Sequence, residues 1–268
     1  MVAIKSLESL RRALRSLGSA GVALSGGVDS ALLAVVLGNT PEVRGHALTL
    51  ASPLLGREEE RRARDVALFA GLPHTLLASN ELALPEVAQN SLRRCFVCKA
   101  HRLALLTQWG TAAGFDWILD GTNADDLQED RPGLEALRSC PRVRTPLAEG
   151  GWNKNDVREL ARTLEIPVWR RASNACLATR LPFDTPLTAS TLRRIDEAEF
   201  RLRSLIPEEI PLRLRLQKDS ARIETGEGGR TALATPAGEE LLGQIRGFLE
   251  VSNVFVDGQG YRFGGARR

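Results

Sequence analysis

Several short segments carry residue types and spacings suited to chemistry. Ser25-Gly26-Gly27-Val28-Asp29-Ser30 stands between an apolar strand-like run and a helical pattern. Paired glycines let the backbone turn sharply and approach a ligand closely. The N–H groups opening a helix, with its dipole, favour an anion at that point. Ser25 and Ser30 add hydroxyl donors, so phosphate binding is the chemistry implied. The segment is not a GxxxxGK[ST] loop, which carries a lysine, nor GxGxxG. An ordinary turn with Asp29 or Ser30 capping a helix is the competing structural reading. Cys95, Cys98 and Cys176 are three of four cysteines. Without a secretory pattern, reduced thiols serve metals or catalysis before disulfides. Zn²⁺ completed by water, His74 or His101 suits a CxxC with one distant Cys. Cys176 is flanked by Arg170, Arg171 and Arg180, and guanidinium charge favours a reactive thiolate. Cys140, before Pro141, fits none of these patterns and reads as structural.

These residues need elements to hold them. Strand candidates at 21–24, 43–50, 74–79 and 115–121 alternate with helical patterns at about 29–37, 57–72 and 99–114. This is an α/β pattern: a parallel sheet with helices on both faces. A first helix carrying Leu10, Leu14 and Leu17 at helical spacing should pack on that sheet. Asp120-Gly121-Thr122-Asn123-Ala124-Asp125-Asp126 closes the fourth strand at its C-terminal end, where open α/β sheets bind ligands. Gly121 permits close approach, Thr122 and Asn123 offer short polar contacts, and Asp125 and Asp126 are Mg²⁺ or helix-cap candidates. Pro132 starts a helix well, and Arg131 is a candidate substrate contact.

A further amphipathic helix at 154–166 precedes a Pro-containing loop around Cys176. A helix at 189–205, strands at 211–217 and 221–226, a helix at 238–251 and a strand at 254–257 make a small C-terminal α+β domain. The expected division is 1–182 and 183–268. Arg213 and Arg215 alternate with Leu212, Leu214 and Leu216. A strand therefore sets both on one face, suited to gripping phosphate or to a solvated surface.

Composition narrows the class. Hydrophobic residues at 43% and charged residues at 26% suit a globular chain of 268 residues. Apolar runs fall far short of the roughly 20 residues of a membrane span. The net charge of +3 and 5% aromatics give little grip on nucleic acid. A cytoplasmic protein with no membrane and no stable nucleic-acid partner is expected.

The Ser25–Ser30 segment resembles the pyrophosphate loop of the N-type ATP pyrophosphatases, a PP-loop superfamily with an adenine nucleotide alpha hydrolase-like fold. The resemblance implies that Ser25, Gly26, Gly27, Asp29 and Ser30, with Gly121, Thr122 and Asp125, hold ATP or pyrophosphate, and that Asp29 reaches Mg²⁺. CFVCKAHRL, DGTNADDLQEDRPGLEAL and ACLATRLPFDTPLT resemble LarE-type sulfur transferases over roughly residues 8 to 225. Those enzymes adenylate a pyridinium dicarboxylate mononucleotide and exchange carboxylate oxygen for sulfur, making the organic part of a nickel-pincer cofactor. By this resemblance Cys176 is the sulfur donor, and Arg180, Arg213 and Arg215 meet substrate phosphate. Glu199 is a metal-binding candidate, and Glu224 resembles another acidic position of the family. The Cys95–Cys98 pair departs from the best-known pattern, which has only the Cys matching Cys176 and sacrifices it. A related subgroup gathers three Cys, and three thiolates leave one iron of a [4Fe–4S] cluster open for sulfide. That cluster is the first expectation, and zinc the alternative. The resemblance also implies a small-molecule substrate and leaves room for a symmetric homo-oligomer. A tRNA thiolase of the same superfamily and a non-catalytic nucleotide- or metal-binding protein are the competing functions.

Overall fold

The computed structural model describes residues 5–128 and 132–261, so Arg131 lies outside the described residues. Its first half follows the alternating pattern: α1 (Leu7–Arg15), β1 (Ser19–Ala23), α2 (Val28–Gly38), β2 (Arg44–Ala51), α3 (Arg57–Phe69) and β3 (His74–Ala78). After the short α4 (Pro85–Ala88) come α5 (Arg94–Ala112), β4 (Trp117–Leu119), α6 (Pro132–Arg138), β5 (Val143–Arg144), α7 (Pro146–Glu149) and α8 (Lys154–Thr163). The five strands form one sheet in the order β3-β2-β1-β4-β5, and every pairing is parallel. The strand order reverses beside β1, which makes the gap between the carboxyl ends of β1 and β4 the switch point.

Local sequence explains how these elements seat. α2 is apolar nearly all round, and its residues from Ala31 to Leu37 are all buried, as expected of a helix covered on every side. Leu10 and Leu14 of α1 are buried, and Leu17 just beyond it, against the same core. Ser6 and Ser9 form a reciprocal capping box at the start of α1, and Asn153 and Asp156 form one at α8.

The chain divides into two compact units. The first comprises residues up to Ser52 with Arg57–Asn80 and Arg93–Arg170; the second comprises Pro53–Gly56, Glu81–Leu92 and residues from Arg171 onward. The boundary expected at residue 182 thus falls inside the second unit. The reason is local bonding: Leu177 donates its N–H to Leu54 O at 2.8 Å, and Asn90 Nδ2 donates to Pro182 O at 2.7 Å.

The second unit contains α9 (Ala189–Leu202), β6 (Leu212–Gln217), β7 (Ser220–Thr225), α10 (Glu227–Leu233), α11 (Pro236–Leu249) and β8 (Asn253–Val256). β6 and β7 are an antiparallel hairpin, and β8 adds parallel to β7. Ile195, Leu202, Leu214, Ile223 and Ile245 are fully buried within this unit. Among the described residues, no helix is long and apolar enough to cross a membrane.

Candidate active site

In the first unit the glycine-rich loop leaves β1 and enters α2 at the switch point. Gly26 adopts φ +75°, and a Cβ there would lie 2.9 Å from Glu59 O, so the turn requires glycine. The loop is braced internally. Ser30 Oγ donates to Gly27 O at 3.1 Å and accepts from the Ser25 N–H at 3.2 Å, while the two hydroxyls lie 3.1 Å apart. Gly27 is the N-cap of α2, and no side chain caps that end. The helix therefore opens with uncapped amides facing a place suited to an anion.

The turn after β4 closes on the same spot. A Cβ on Gly121 would meet Ser30 N at 3.0 Å, so glycine lets this turn abut the start of α2. Asn123 Nδ2 donates to Asp29 Oδ1 at 3.2 Å, and Lys154 Nζ donates to Asp29 Oδ2. Lys154 is the first residue of α8, and its N–H donates to Asp125 Oδ2 at 2.8 Å. Asp126 accepts the Asn123 N–H at 3.0 Å, while Asn123 Oδ1 accepts the N–H groups of Asp125 and Asp126. Asp125 thus caps α8, Asp126 braces its own turn, and Asp29 lies beside the loop with an ammonium on one oxygen.

Asp120 and Lys99 form the other wall. Asp120 is buried and accepts from Lys99 Nζ, from Thr122 Oγ1 at 2.5 Å and from the Thr122 N–H at 3.1 Å. Burial pushes its carboxyl up, but the Lys99 charge and these hydrogen bonds outweigh that and hold it below the usual carboxylate range. Its stabilising contribution is complete above the unfolded value of about 4 and is lost as pH falls through the lower folded value. Lys99→Met should move the acid-unfolding midpoint to higher pH in a circular-dichroism titration; an unmoved midpoint would count against this pairing. Together these walls enclose a cleft of about 240 Å³ lined by Ser25, Asp29, Lys99, Arg102 and Asp120 on its polar side, and by Leu48, Leu50, Leu103 and Leu106 on its apolar side.

Cys95 and Cys98 lie inside the first turns of α5, not before it as the expected start at 99 would have it. No Gly or Pro interrupts 91–99, so the helix extends back to Arg94. Three-residue spacing puts the two thiols on neighbouring positions of one helix face, one turn ahead of Lys99 and His101. His74 opens β3 and pairs with Thr49 Oγ1 at 2.9 Å. None of the four cysteines is in a disulfide. Among the described residues, no three His, Cys, Asp or Glu side chains are gathered to hold a metal ion.

In the second unit, Cys176 precedes a short 3₁₀ turn at Leu177–Arg180. Arg180 is wholly buried and frames this loop. It donates to Ala175 O at 2.7 Å, Cys176 O at 3.3 Å and Asn174 Oδ1 at 2.6 Å, and pairs bidentately with Glu199 at 2.8 and 3.0 Å. Glu199 also accepts the Leu214 N–H at 2.8 Å. The structure therefore gives Arg180 and Glu199 each other as partners, with the Cys176 loop and β6 tied between them. Glu199→Ala should strand a buried guanidinium and cost about 3–5 kcal/mol, seen as a lowered melting temperature; an unchanged melting temperature would contradict this. The other flanking arginines also have partners: Arg170 lies over Trp169, and Arg171 is 3.8 Å from Glu208.

Arg215 is buried, pairs with Glu224 at 3.1 Å and donates to Thr179 O. Its neighbour two residues back differs. Arg213 is 5% exposed, and its side chain makes no hydrogen bond or ion pair among the described residues. Burial lowers its pKa from the ordinary arginine value, and the nearby Arg180 and Arg215 charges add to that. The strand alternation thus delivers two buried arginines, one in an ion pair and one without an ion-pair partner among the described residues.

Sequence reasoning left three residues without a role: Lys99, Arg102 and Lys154. Lys154 meets Asp29 across 125 positions, which no local pattern reveals. One sign was available. The chain has only four lysines among 36 basic residues, and two of them end at carboxylates bordering this cleft.

Comparison with known proteins finds relatives along most of the chain. Residues 6–199 match the family described as asparagine synthase. An uncharacterised protein of Synechocystis sp. is 36% identical over 81% of this chain and 80% of its own length. An uncharacterised protein of Methanocaldococcus jannaschii is 30% identical over 76% of each. The pyridinium-3,5-bisthiocarboxylic acid mononucleotide synthase of Lactiplantibacillus plantarum is 33% identical over 82% of this chain and 79% of its own length. With a glycine-rich loop at the switch point of a parallel sheet and these relatives along most of its length, the chain belongs to the LarE-type family of the PP-loop ATP-dependent enzymes.

Proposed function

We propose that this protein is an ATP-dependent sulfur transferase. It adenylates a carboxylate of pyridinium-3,5-biscarboxylic acid mononucleotide and converts it to a thiocarboxylate for nickel-pincer cofactor synthesis. The observation that carries this reading is the second unit's combination of a thiol and an open cation. Arg180 and Arg215 tie the Cys176 loop to the strand bearing the unpaired, buried Arg213. A phosphorylated acceptor and a sulfur donor are thereby provided for in one unit.

ATP cleavage between the α and β phosphates supplies AMP as a leaving group. The loop amides after Gly27 receive the pyrophosphate, and Asp29 is the residue suited to hold Mg²⁺ once Lys154 turns from it to phosphate. Gly121, Thr122 and Asp125 shape the facing turn, and the apolar wall takes the base. Preorganised donors here align the carboxylate with the α-phosphate and stabilise the charge that develops. Cys176 then provides sulfur, from its own side chain or as one ligand of a [4Fe–4S] cluster. By the resemblance, Cys95, Cys98 and Cys176 would be the three ligands of such a cluster, which would supply sulfide at its open iron.

ATP–pyrophosphate exchange tests the first half of this function. Exchange should depend on the pyridinium mononucleotide and not on tRNA; dependence on tRNA would favour a tRNA thiolase, and no exchange with either would favour a non-catalytic protein. Iron and sulfide content after anaerobic reconstitution separates the sulfur sources. About four irons per chain, lost on Cys95→Ala, would mean cluster-borne sulfur. Absence of iron, with Cys176 losing H₂S in one turnover, would mean a sacrificed side chain. Stoichiometric zinc would count against both.

A further inference from the structure

The second unit holds another orphaned polar atom. Beyond β8 the chain is strapped along the end of β7: Asp257 N–H donates to Ile223 O at 2.8 Å, Gly260 N–H to Asp257 O at 3.0 Å, and Tyr261 N–H to Thr225 O at 3.1 Å. Gly260 adopts φ +72°, and a Cβ there would lie 3.2 Å from Thr225 O, so the turn demands glycine. This turn sets the ring of Tyr261, the only tyrosine in the chain, over Arg213, with the guanidinium carbon 4.8 Å from the ring centroid. The phenolic oxygen is buried and has no hydrogen-bond partner among the described residues, and the same is true of Arg213 Nε.

Two features of this pair point to a ligand. Buried polar groups in folded proteins are nearly always hydrogen-bonded, so two orphans on adjacent side chains indicate a partner that arrives from outside. The charges also fail to balance. Glu199 pairs with Arg180 and Glu224 with Arg215; Glu199 also acts on Arg213 electrostatically, but among the described residues no carboxylate forms an ion pair with Arg213, whose near neighbour is the Tyr261 ring. A π face attracts a cation but does not neutralise it. A bound anion with acceptor oxygens answers both needs.

We propose that Tyr261 completes the phosphate site read above at Arg213, and that its hydroxyl selects a phosphorylated substrate over its dephosphorylated form. Arg213 supplies the charge, and the phenol donates to one phosphate oxygen. Hydrogen bonds of this kind, to a charged acceptor, are stronger than neutral ones. The site rests on the reading of Arg213 given above and adds to it a residue, Tyr261, from the chain beyond β8.

Binding of pyridinium-3,5-biscarboxylic acid mononucleotide and of its dephosphorylated nucleoside is measured by calorimetry on the whole protein, without ATP. Tyr261→Phe should weaken mononucleotide binding about tenfold and leave nucleoside binding unchanged. Its ligand-free melting temperature should be equal to or above that of the unaltered protein, because the hydroxyl has no partner to lose. Equal loss for both compounds, unchanged affinity for both, or a lowered ligand-free melting temperature would overturn the assignment. Arg213→Ala separates the two levels: if the mononucleotide binds the unaltered protein and Arg213→Ala equally well, the Arg213 reading itself fails. If only Arg213→Ala loses affinity, that reading stands and the role of Tyr261 falls.

Discussion

Cys176→Ala should reduce thiocarboxylate formation by more than about a thousandfold while adenylation continues within a few-fold. The separation follows from how the two halves of the chemistry are built. The pyrophosphate loop, Asp29 and the facing turn all belong to the first unit, and Cys176 belongs to the second. The Cys176 carbonyl is held by Thr179 and Arg180, but its sulfur makes no hydrogen bond among the described residues. Alanine therefore removes the sulfur without releasing the loop. Product analysis by mass spectrometry, alongside mononucleotide-dependent pyrophosphate release, reads both arms. Thiocarboxylate formed by Cys176→Ala at near-normal rate would remove Cys176 from the chemistry.

Gly26→Ala should have the opposite profile, reducing pyrophosphate formation by more than about a hundredfold, since small misplacements of reacting groups cost that much. A left-handed φ disfavours any L side chain. The added Cβ would also lie 2.9 Å from Glu59 O and 3.2 Å from Arg62 Cβ. The oxygen is backbone, so the loop must move. Gly27→Ala is the internal comparison, because its φ of −85° is ordinary and its Cβ would meet only Ser25 Oγ at 3.4 Å. Its effect should be much smaller. Equal effects at both positions would mean that neither strain nor close approach governs this loop.

The parts of this fold that carry periodic patterns were legible in the sequence. The four longer strands of the first sheet and α2, α3 and α8 fall within a few residues of expectation: all but β3 bury an apolar run or stripe, and β3, only half-buried, is marked by its apolar residues and the turn residues on either side. β5 has only Val143 and Arg144, and α10 contains Gly228 and Gly229, so neither leaves a pattern. The start of α5 was missed because no side chain caps it. For the site, the glycine loop and the turn after β4 were visible because their function is local backbone geometry. The partners of Asp29, Asp120 and Arg180 were not, since Lys154, Lys99 and Glu199 come from distant elements. Arg180 shows the limit best: an arginine near a cysteine reads as a charge for the thiol, whereas its buried guanidinium clamps carbonyls and Glu199. Tyr261 lies in a segment with no periodic pattern, and only its position over Arg213 gives it meaning.

The most direct test supplies Mg²⁺, ATP and pyridinium-3,5-biscarboxylic acid mononucleotide to the anaerobically reconstituted protein and quantifies AMP, pyrophosphate and the sulfur-containing product together. AMP, pyrophosphate and a product with one carboxylate oxygen replaced by sulfur should appear in equal amounts, and none should form without the mononucleotide. AMP release that is indifferent to the mononucleotide, or release without sulfur incorporation, would contradict the account.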